Sequence, residues 1–301
     1  MLQYITQAIN SSKAVPGRVV PDNVIDTIER FSERYGTNLG LGMSALVLLF
    51  LWIPLIVVTF MSFADSVHFF PPNELTLEWY RDFISDPRAR EATMTSIRVS
   101  VIAVPVSVLF ATLAAYGIER YSFRGKALLM LLLVLPIIVP LVVTGAALMQ
   151  FLHTIGIGSG FWSVVIAHIV RCVPFATLAI LPSFYMFDNS LEEASLDLGA
   201  NELQTFVRVT LPNVLPGLIA GTLLSFAISF NEFTYTLFNQ DTQTTTLPIY
   251  IWNEISHGVT PIINVISVLL IGVALFAVAL AVGATSTERI ITRGRSGTTD
   301  E

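Results

Sequence analysis

Long apolar runs separated by short polar stretches set the pattern of this chain. Runs free of Asp, Glu, Lys and Arg extend over Leu39–Ala64, Val99–Ile118, Ala127–Val170, Val209–Asn231 and Ile255–Thr287. A helix needs roughly 20 apolar residues to cross the hydrocarbon of a bilayer, so each run is long enough to span one. The run from Ala127 is divided by the glycine-rich turn His153-Thr-Ile-Gly-Ile-Gly-Ser-Gly160, and its second half continues past Arg171 to Phe187. The pattern predicts an all-α membrane protein with six transmembrane helices, at about residues 40–63, 96–118, 127–151, 162–186, 214–237 and 262–285.

One polar stretch between two of these runs has helix punctuation of its own. It reads Glu-Glu-Ala-Ser-Leu-Asp-Leu-Gly-Ala-Asn-Glu-Leu-Gln-Thr-Phe-Val-Arg-Val-Thr-Leu-Pro-Asn-Val-Leu-Pro from Glu192 to Pro216. Ser190 stands three residues before Glu193, the spacing of a capping box that opens a helix, and Gly199 supplies the left-handed conformation that closes one. Asn201 followed by Gln204 gives a second start signal, and Pro212 stops the apolar pattern of Leu203, Phe206, Val207 and Val209. Two short helices bent about a glycine are expected at a membrane face.

This stretch resembles the EAA loop of binding-protein-dependent ABC importer permeases: Glu-Ala-Ala, three variable residues, Gly, and later a hydrophobic-X-Leu-Pro. The matching residues are Glu193, Ala194, Ser195, Gly199, Ala200, Phe206, Val209, Leu211 and Pro212, with Leu198 among the variable positions. Ser195 replaces the usual second alanine, and a small residue still fits a tight helix contact. The resemblance implies a type I ABC importer-like fold in which residues 187–213 are a cytoplasmic coupling element that docks into a groove on an ATPase.

Composition and charge agree with a membrane class. The chain is 53% hydrophobic and 13% charged, with mean hydropathy +0.70, far from an ordinary soluble domain. Orientation follows from Lys and Arg in the loops rather than from net charge. Lys13, Arg18, Arg30, Arg34, Arg120, Arg124, Lys126, Arg208, Arg289, Arg293 and Arg295 fall on one side, and Arg81, Arg88 and Arg90 on the other. Both termini and residues 187–213 are therefore expected to be cytoplasmic. Residues 1–38 read as a cytoplasmic extension without a cleavable signal peptide, residues 39–287 as the membrane domain and residues 288–301 as a cytoplasmic tail. Within the extension, Val24, Ile28 and Phe31 at helical spacing suggest an amphipathic helix over 22–35 or a solvated lead-in. The single cysteine, Cys172, excludes an internal disulfide.

Polar groups inside spans are costly, which makes each a functional candidate. Arg171 falls near the middle of the fourth span, and Glu232 lies in Ser229-Phe-Asn-Glu-Phe233 of the fifth. They are read either as a structural pair or as lining of the substrate path, with Asn231 and His168 beside them. Prolines 136, 140, 174 and 182 loosen their helices and suit a gate or a static break. Gly145, Gly221 and Gly272 are read as sites of close helix packing. Outside the spans, Leu77, Tyr80, Phe83 and Ile84 form one apolar face after Phe70-Pro-Pro72. A helix is expected from Pro248 to Gly258, with Tyr250 and Trp252 at the membrane interface.

Further stretches resemble the spermidine/putrescine branch of these permeases: Arg120-Tyr-Ser-Phe-Arg-Gly-Lys126, Gly160-Phe-Trp-Ser163 with His168 and Pro174-Phe175, and Thr246-Leu-Pro-Ile-Tyr250 with Gly258-Val-Thr-Pro-Ile-Ile-Asn264. The resemblance implies a homologous permease subunit, two cytosolic ABC ATPases, an external solute-binding protein and a place in the bacterial inner membrane, in contact with lipid and not with nucleic acid. It also implies contact with the binding protein on the external side, where Trp252, Glu254 and His257 stand. At the point where polyamine permeases often carry an acidic pair, this chain has Asn231-Glu232, and Arg171 repels a polycation unless an acid neutralises it. An amino-acid-like, zwitterionic or anionic solute therefore stays open beside a polyamine. No Gly-x4-Gly-Lys-Ser/Thr loop occurs, so ATP and Mg are expected in the partner ATPase, with no cofactor, metal or catalytic residue in this chain. An ion-coupled secondary transporter is the alternative, but it has no need of a docking loop. An intramembrane enzyme built on His168, Arg171 and Glu232 lacks any motif at metal or nucleophile spacing.

Overall fold

The computed structural model describes residues 22–66, 71–258 and 261–275, and everything said of structure concerns these residues. It is helical, with one isolated antiparallel bridge between Ala64 and Leu75 among the described residues. Helix α1 (Asp22–Met61) is one continuous 40-residue helix whose apolar part is Leu41–Met61, so the expected amphipathic segment over 22–35 runs unbroken into the first span. It forms a unit by itself. Lys13, Arg18, Phe70, Arg289, Arg293, Arg295 and the tail 288–301 lie outside the described residues.

In the second unit, α2 (Glu78–Ser85) is followed by α3 (Pro87–Arg120), which begins nine residues before the expected start of span 2. The reason is local. Asp86 caps the helix by accepting the Arg88 amide at 2.8 Å, and Pro87 occupies the first position, where its missing N–H costs nothing. The apolar face expected on α2 is divided: Tyr80 bonds Ser62 at 2.7 Å and Phe83 packs inward, whereas Leu77 and Ile84 are exposed.

The expected third span is not one helix. Helix α4 (Lys126–Ile138) and α5 (Leu141–Thr154) meet at 110°. Val139 and Pro140 are both extended at the corner, because a residue before proline is pushed out of the helical region and proline offers no N–H to continue the ladder. Helix α6 (Phe161–Tyr185) matches its expected span closely. Then follow α7 (Ser190–Asp197), α8 (Glu202–Asn213), α9 (Leu215–Phe230), α10 (Thr234–Asn239), α11 (Leu247–His257) and α12 (Ile262–Leu275). The fifth span is thus α9 alone, interrupted at Asn231–Phe233, and α8 meets α9 at 72°. Among the described residues three helices can cross a membrane unaided, and five can if each bent pair counts as one span. Helix α12 starts where the sixth was expected, and the rest of that span lies outside the described residues.

Helices α3, α6 and α9 pack most extensively on one another. Helix α3 buries Ala92, Ser96, Ser100, Ala103, Ser107, Ala111 and Ala115, small side chains three or four residues apart on one face. That stripe lets backbones approach closely, which is how helices associate where no hydrophobic drive separates protein from lipid. Helix α6 answers with Ala176, Ile180 and Phe184. Helix α9 meets α6 at Gly217 and Gly221, four residues apart. A Cβ on Gly221 would stand 2.7 Å from Ile180 Cγ1, and one on Gly217 would strike Ser183. Gly145 is similarly close to Phe238 of α10, at 3.0 Å. Gly272, expected to pack, has open space around it among the described residues, because nothing approaches its face of α12.

Gly221→Val is therefore expected to destabilise the bundle by about 1–3 kcal/mol through overpacking against Ile180. Gly117→Ala, in open space on α3, is expected to be neutral or to stabilise by up to about 1 kcal/mol. Thermal unfolding of the detergent-purified variants checks both, and equal melting temperatures would remove the close crossing.

Candidate functional site

Residues 187–213 form a corner of two short helices held against the C-terminal end of α3. The Asp188 side chain accepts the Ser190 amide at 3.0 Å, and the expected Ser190–Glu193 capping box is absent because this aspartate has taken its place. Hydrogen bonding to Ser190 holds the Asp188 carboxyl below its ordinary pKa. Gly199 turns the corner with φ +87°, and Asn201 and Gln204 form the expected capping box, at 2.8 and 3.2 Å. Pro212 does not end α8, which continues to Asn213, and Phe206–Thr210 are wound as a π turn.

Two faces of the corner differ. Glu193, Ala194, Leu198, Gly199 and Pro212 are exposed, with Leu198 at 89% and Leu203 at 72%. Ser195, Ala200, Phe206 and Leu211 are half-buried and turn inward: Ser195 bonds Thr205 at 2.9 Å, and the Phe206 ring meets Tyr116 of α3 edge-on at 5.0 Å. The inner face also carries Glu192, Arg120 and Thr210; from the sequence, Arg120 served only for orientation and resemblance, and none of the three was given a role in the corner. Arg120 Nη2 stands 2.8 Å from Glu192 Oε2, and the Thr210 hydroxyl donates to Glu192 Oε1. No local signal separates Glu192 from Glu193, because adjacent helical positions are about 100° apart and can both be exposed.

In the bundle core the sequence candidates converge. Arg171 Nε lies 3.3 Å from Glu232 Oε2, with side-chain exposures of 15% and 7%, and the guanidinium sits 4.7 Å from the Phe175 ring centroid. The other Glu232 oxygen accepts the Tyr235 amide at 3.0 Å, so this carboxylate caps α10 while neutralising Arg171. His168 is buried between the Ser229 and Thr236 hydroxyls, at 2.9 and 2.8 Å, and Ser229 reaches Ser100 of α3 at 3.0 Å. Asn239 accepts the Ser163 hydroxyl at 3.0 Å, and the Tyr235 hydroxyl donates to Thr144 at 2.8 Å. Asn231 does not join them: its side chain is exposed and donates to its own helix at the Ala227 carbonyl.

At the N-terminal end of α3 a cleft of about 450 Å³ is lined by Arg88, Glu91, Gln243, Tyr250, Asn253 and Glu254. Tyr250 was expected at the membrane interface, but it is buried and donates its hydroxyl to Asp86 at 2.9 Å, because the start of α3 offers an acceptor. Burial alone would push the Asp86 carboxyl up; bonds from the Arg88 amide, Tyr250 and the Arg88 side chain outweigh it and hold that carboxyl below its ordinary value. Burial and the Asp86 bond push the Tyr250 hydroxyl well up. Glu254 lies 3.6 Å from Arg88; Trp252 is exposed against Phe233, and His257 is exposed with Nδ1 on the Asn253 carbonyl. Among the described residues no three of His, Cys, Asp and Glu are grouped to hold a metal ion.

Residues 104–293 match the family described as binding-protein-dependent transport system inner membrane component. The spermidine/putrescine transport system permease protein PotC of Haemophilus influenzae is 29% identical over 232 residues, covering 77% of this chain and 90% of that protein. The putrescine transport system permease protein PotI of Escherichia coli is 29% identical over 230 residues, 74% of this chain and 82% of that protein. The fold is similar to a chain in the crystal structure of a bacterial ABC transporter involved in import of the acidic polysaccharide alginate. That match has TM-score 0.65 and 17% identity, and covers 85% of this chain and 97% of that one.

A buried pair loses most when one partner is removed, since a lone charge then remains in an apolar setting. Arg171→Met or Glu232→Gln alone is expected to cost about 3–5 kcal/mol, and the double variant markedly less than the sum. Thermal unfolding of the three variants reads the coupling; strict additivity would show that the two side chains do not act as a pair.

Proposed function

We propose that this chain, which belongs to the binding-protein-dependent transport system inner membrane components, is one of two transmembrane subunits of an ATP-driven importer for a polyamine or a related amine or amino-acid-like solute. The observation that carries the reading is the exposed surface of residues 187–213, where Leu198, Leu203 and Glu193 all stand exposed on a corner braced from within. Exposed apolar side chains beside acids, on a rigid support, suit a groove in a partner protein. The partner is a cytosolic ATPase, which binds ATP and Mg; this chain carries neither and performs no hydrolysis.

The complex comprises this subunit, a homologous permease, two ATPases and an external binding protein. It sits in the bacterial inner membrane, with the apolar outer faces of the helices against lipid and both termini on the cytoplasmic side. ATP-driven closure of the ATPases moves the corner, and the bundle rocks to alternate access. Arg171, Glu232 and His168 stand beside the solute path, with Asn231 exposed at the same height. The relatives named for spermidine and putrescine support an amine. The neutralised Glu232 favours a solute that does not rely on a free acid in the bundle. The external cleft, with Glu254 and nearby Trp252 and His257, meets the binding protein.

Two outcomes test the reading. Affinity purification from the native membrane is expected to recover an ATPase and a second permease, and a protein that purifies alone and without ATPase activity overturns it. Gly199→Pro imposes φ near −65° where the corner holds +87°. It is expected to abolish transport of the co-purified solute by at least tenfold while the subunit still inserts; wild-type transport would remove the corner from the mechanism.

A further inference from the structure

One buried carboxylate holds three helices together at the C-terminal end of α3. Glu192 is 4% exposed, although its neighbours Leu191 and Glu193 in α7 face outward. Its two oxygens serve different elements: Oε2 pairs with Arg120, the last residue of α3, and Oε1 accepts the Thr210 hydroxyl from α8. One turn before Arg120, Tyr116 sets its ring against Phe206 of α8 at 5.0 Å and Phe184 of α6 at 5.9 Å. The Ser195–Thr205 bond closes α7 onto α8 from the other side.

A carboxylate taken out of water is costly unless it is paired and its remaining lone pairs are satisfied, and both conditions are met here. A residue so enclosed is not available to a docking partner. What the arrangement does provide is directional restraint. A Cβ on Gly199 would meet nothing within 4 Å, so no side chain wedges the turn itself, and the hold on the corner comes from bonds that cross it, such as Ser195 to Thr205 and Glu192 to Thr210. Glu192 grips α3 and α8 at once and so adds the tie to α3 that the Ser195–Thr205 bond, confined to the corner, does not supply.

We propose that Glu192, with Arg120, is the joint that makes residues 187–213 and the end of α3 one rigid body. A push on the exposed face of the corner then reaches α3 instead of being absorbed by bending at Gly199. Glu192 is a positioning residue, acting through α3 and α8 without touching nucleotide or solute. The inference rests on the reading that this corner docks onto an ATPase.

The test uses the complex with its co-purified ATPases. Spin labels are placed at Arg124→Cys, just beyond α3, and Glu202→Cys, at the start of α8, with Cys172→Ala to remove the native thiol. Distances are measured by electron–electron double resonance without nucleotide and with ATP and vanadate. In the otherwise unaltered protein the distance is expected to stay the same in both states. With Glu192→Gln the distribution is expected to broaden and to shift when nucleotide binds, and the swap Glu192→Arg with Arg120→Glu is expected to narrow it again. A distance that shifts with nucleotide in the otherwise unaltered protein overturns the joint, as does a Glu192→Gln distribution as narrow as the original. Should Glu192→Gln fail to insert, the measurement on the otherwise unaltered protein still decides. Leu198→Asp separates the two readings. If it retains the ATPase, the docking reading falls; if it releases the ATPase while the labelled distance in the complex that keeps Leu198 shifts with nucleotide, the joint alone falls.

Discussion

Inside an apolar bundle a polar group left without a partner is costly, so charged groups and broken backbone above all are answered by another part of the protein. Much of the arrangement follows from that demand. The chain breaks at Asn231–Phe233, and a break exposes the N–H groups at the start of a new helix. Glu232 answers one of them at the Tyr235 amide, but a carboxylate there needs its own counter-charge, which Arg171 brings from α6. His168, one turn away on α6, is then fixed by hydroxyls on both sides of the same break. The position of α10 is settled in this way, and with it that of α5, whose Thr144 takes the Tyr235 hydroxyl and whose Gly145 lets Phe238 come close.

The same demand is met at both ends of α3. At its start, Asp86 gathers the Arg88 amide and the Tyr250 hydroxyl, tying α11 to the helix. At its end, Arg120 reaches the only acid that α7 turns inward among the described residues. Between them Ser100 bonds Ser229 of α9. Helix α3 is thus held by polar contacts at its start, along its length and at its end, while its small side chains set how near its neighbours come.

How much of this was legible depended on whether a feature needs a partner distant in the chain. The conformation of Gly199, the Asn201–Gln204 box and the Pro248–Gly258 helix are local, and each is encoded within a few residues. Arg171 and Glu232 could be matched because a charge in an apolar run is conspicuous and has few available partners. Glu192 could not be told from Glu193, since both sit in the same polar stretch and only the approach of Arg120 distinguishes them. The Ser190–Glu193 box was lost to Asp188, a competitor two residues upstream that offers the same bond. Pro140 signalled a break, but continuous hydropathy hid its size, because it records how apolar a segment is and not whether its axis is straight. Gly217 went unnoticed beside Gly221 for the opposite reason: the spacing was visible, but which face meets α6 was not.

The π turn at Phe206–Thr210 has a consequence for the lineage of such a loop. A π turn closes i to i+5, and so carries one residue more than the α ladder around it. One residue amounts to about 100° of rotation along a helix. Without it, Leu203 could still point outward, but Thr210 would swing away from Glu192 and Val214 away from the small side chains of α3. The insertion acts as a phase adjuster, letting one short helix present an apolar surface to the outside at its beginning and a hydroxyl to a buried acid at its end. Drift in this segment is therefore constrained in length as much as in chemistry: a substitution changes one contact, whereas loss of a single residue re-aims every one that follows.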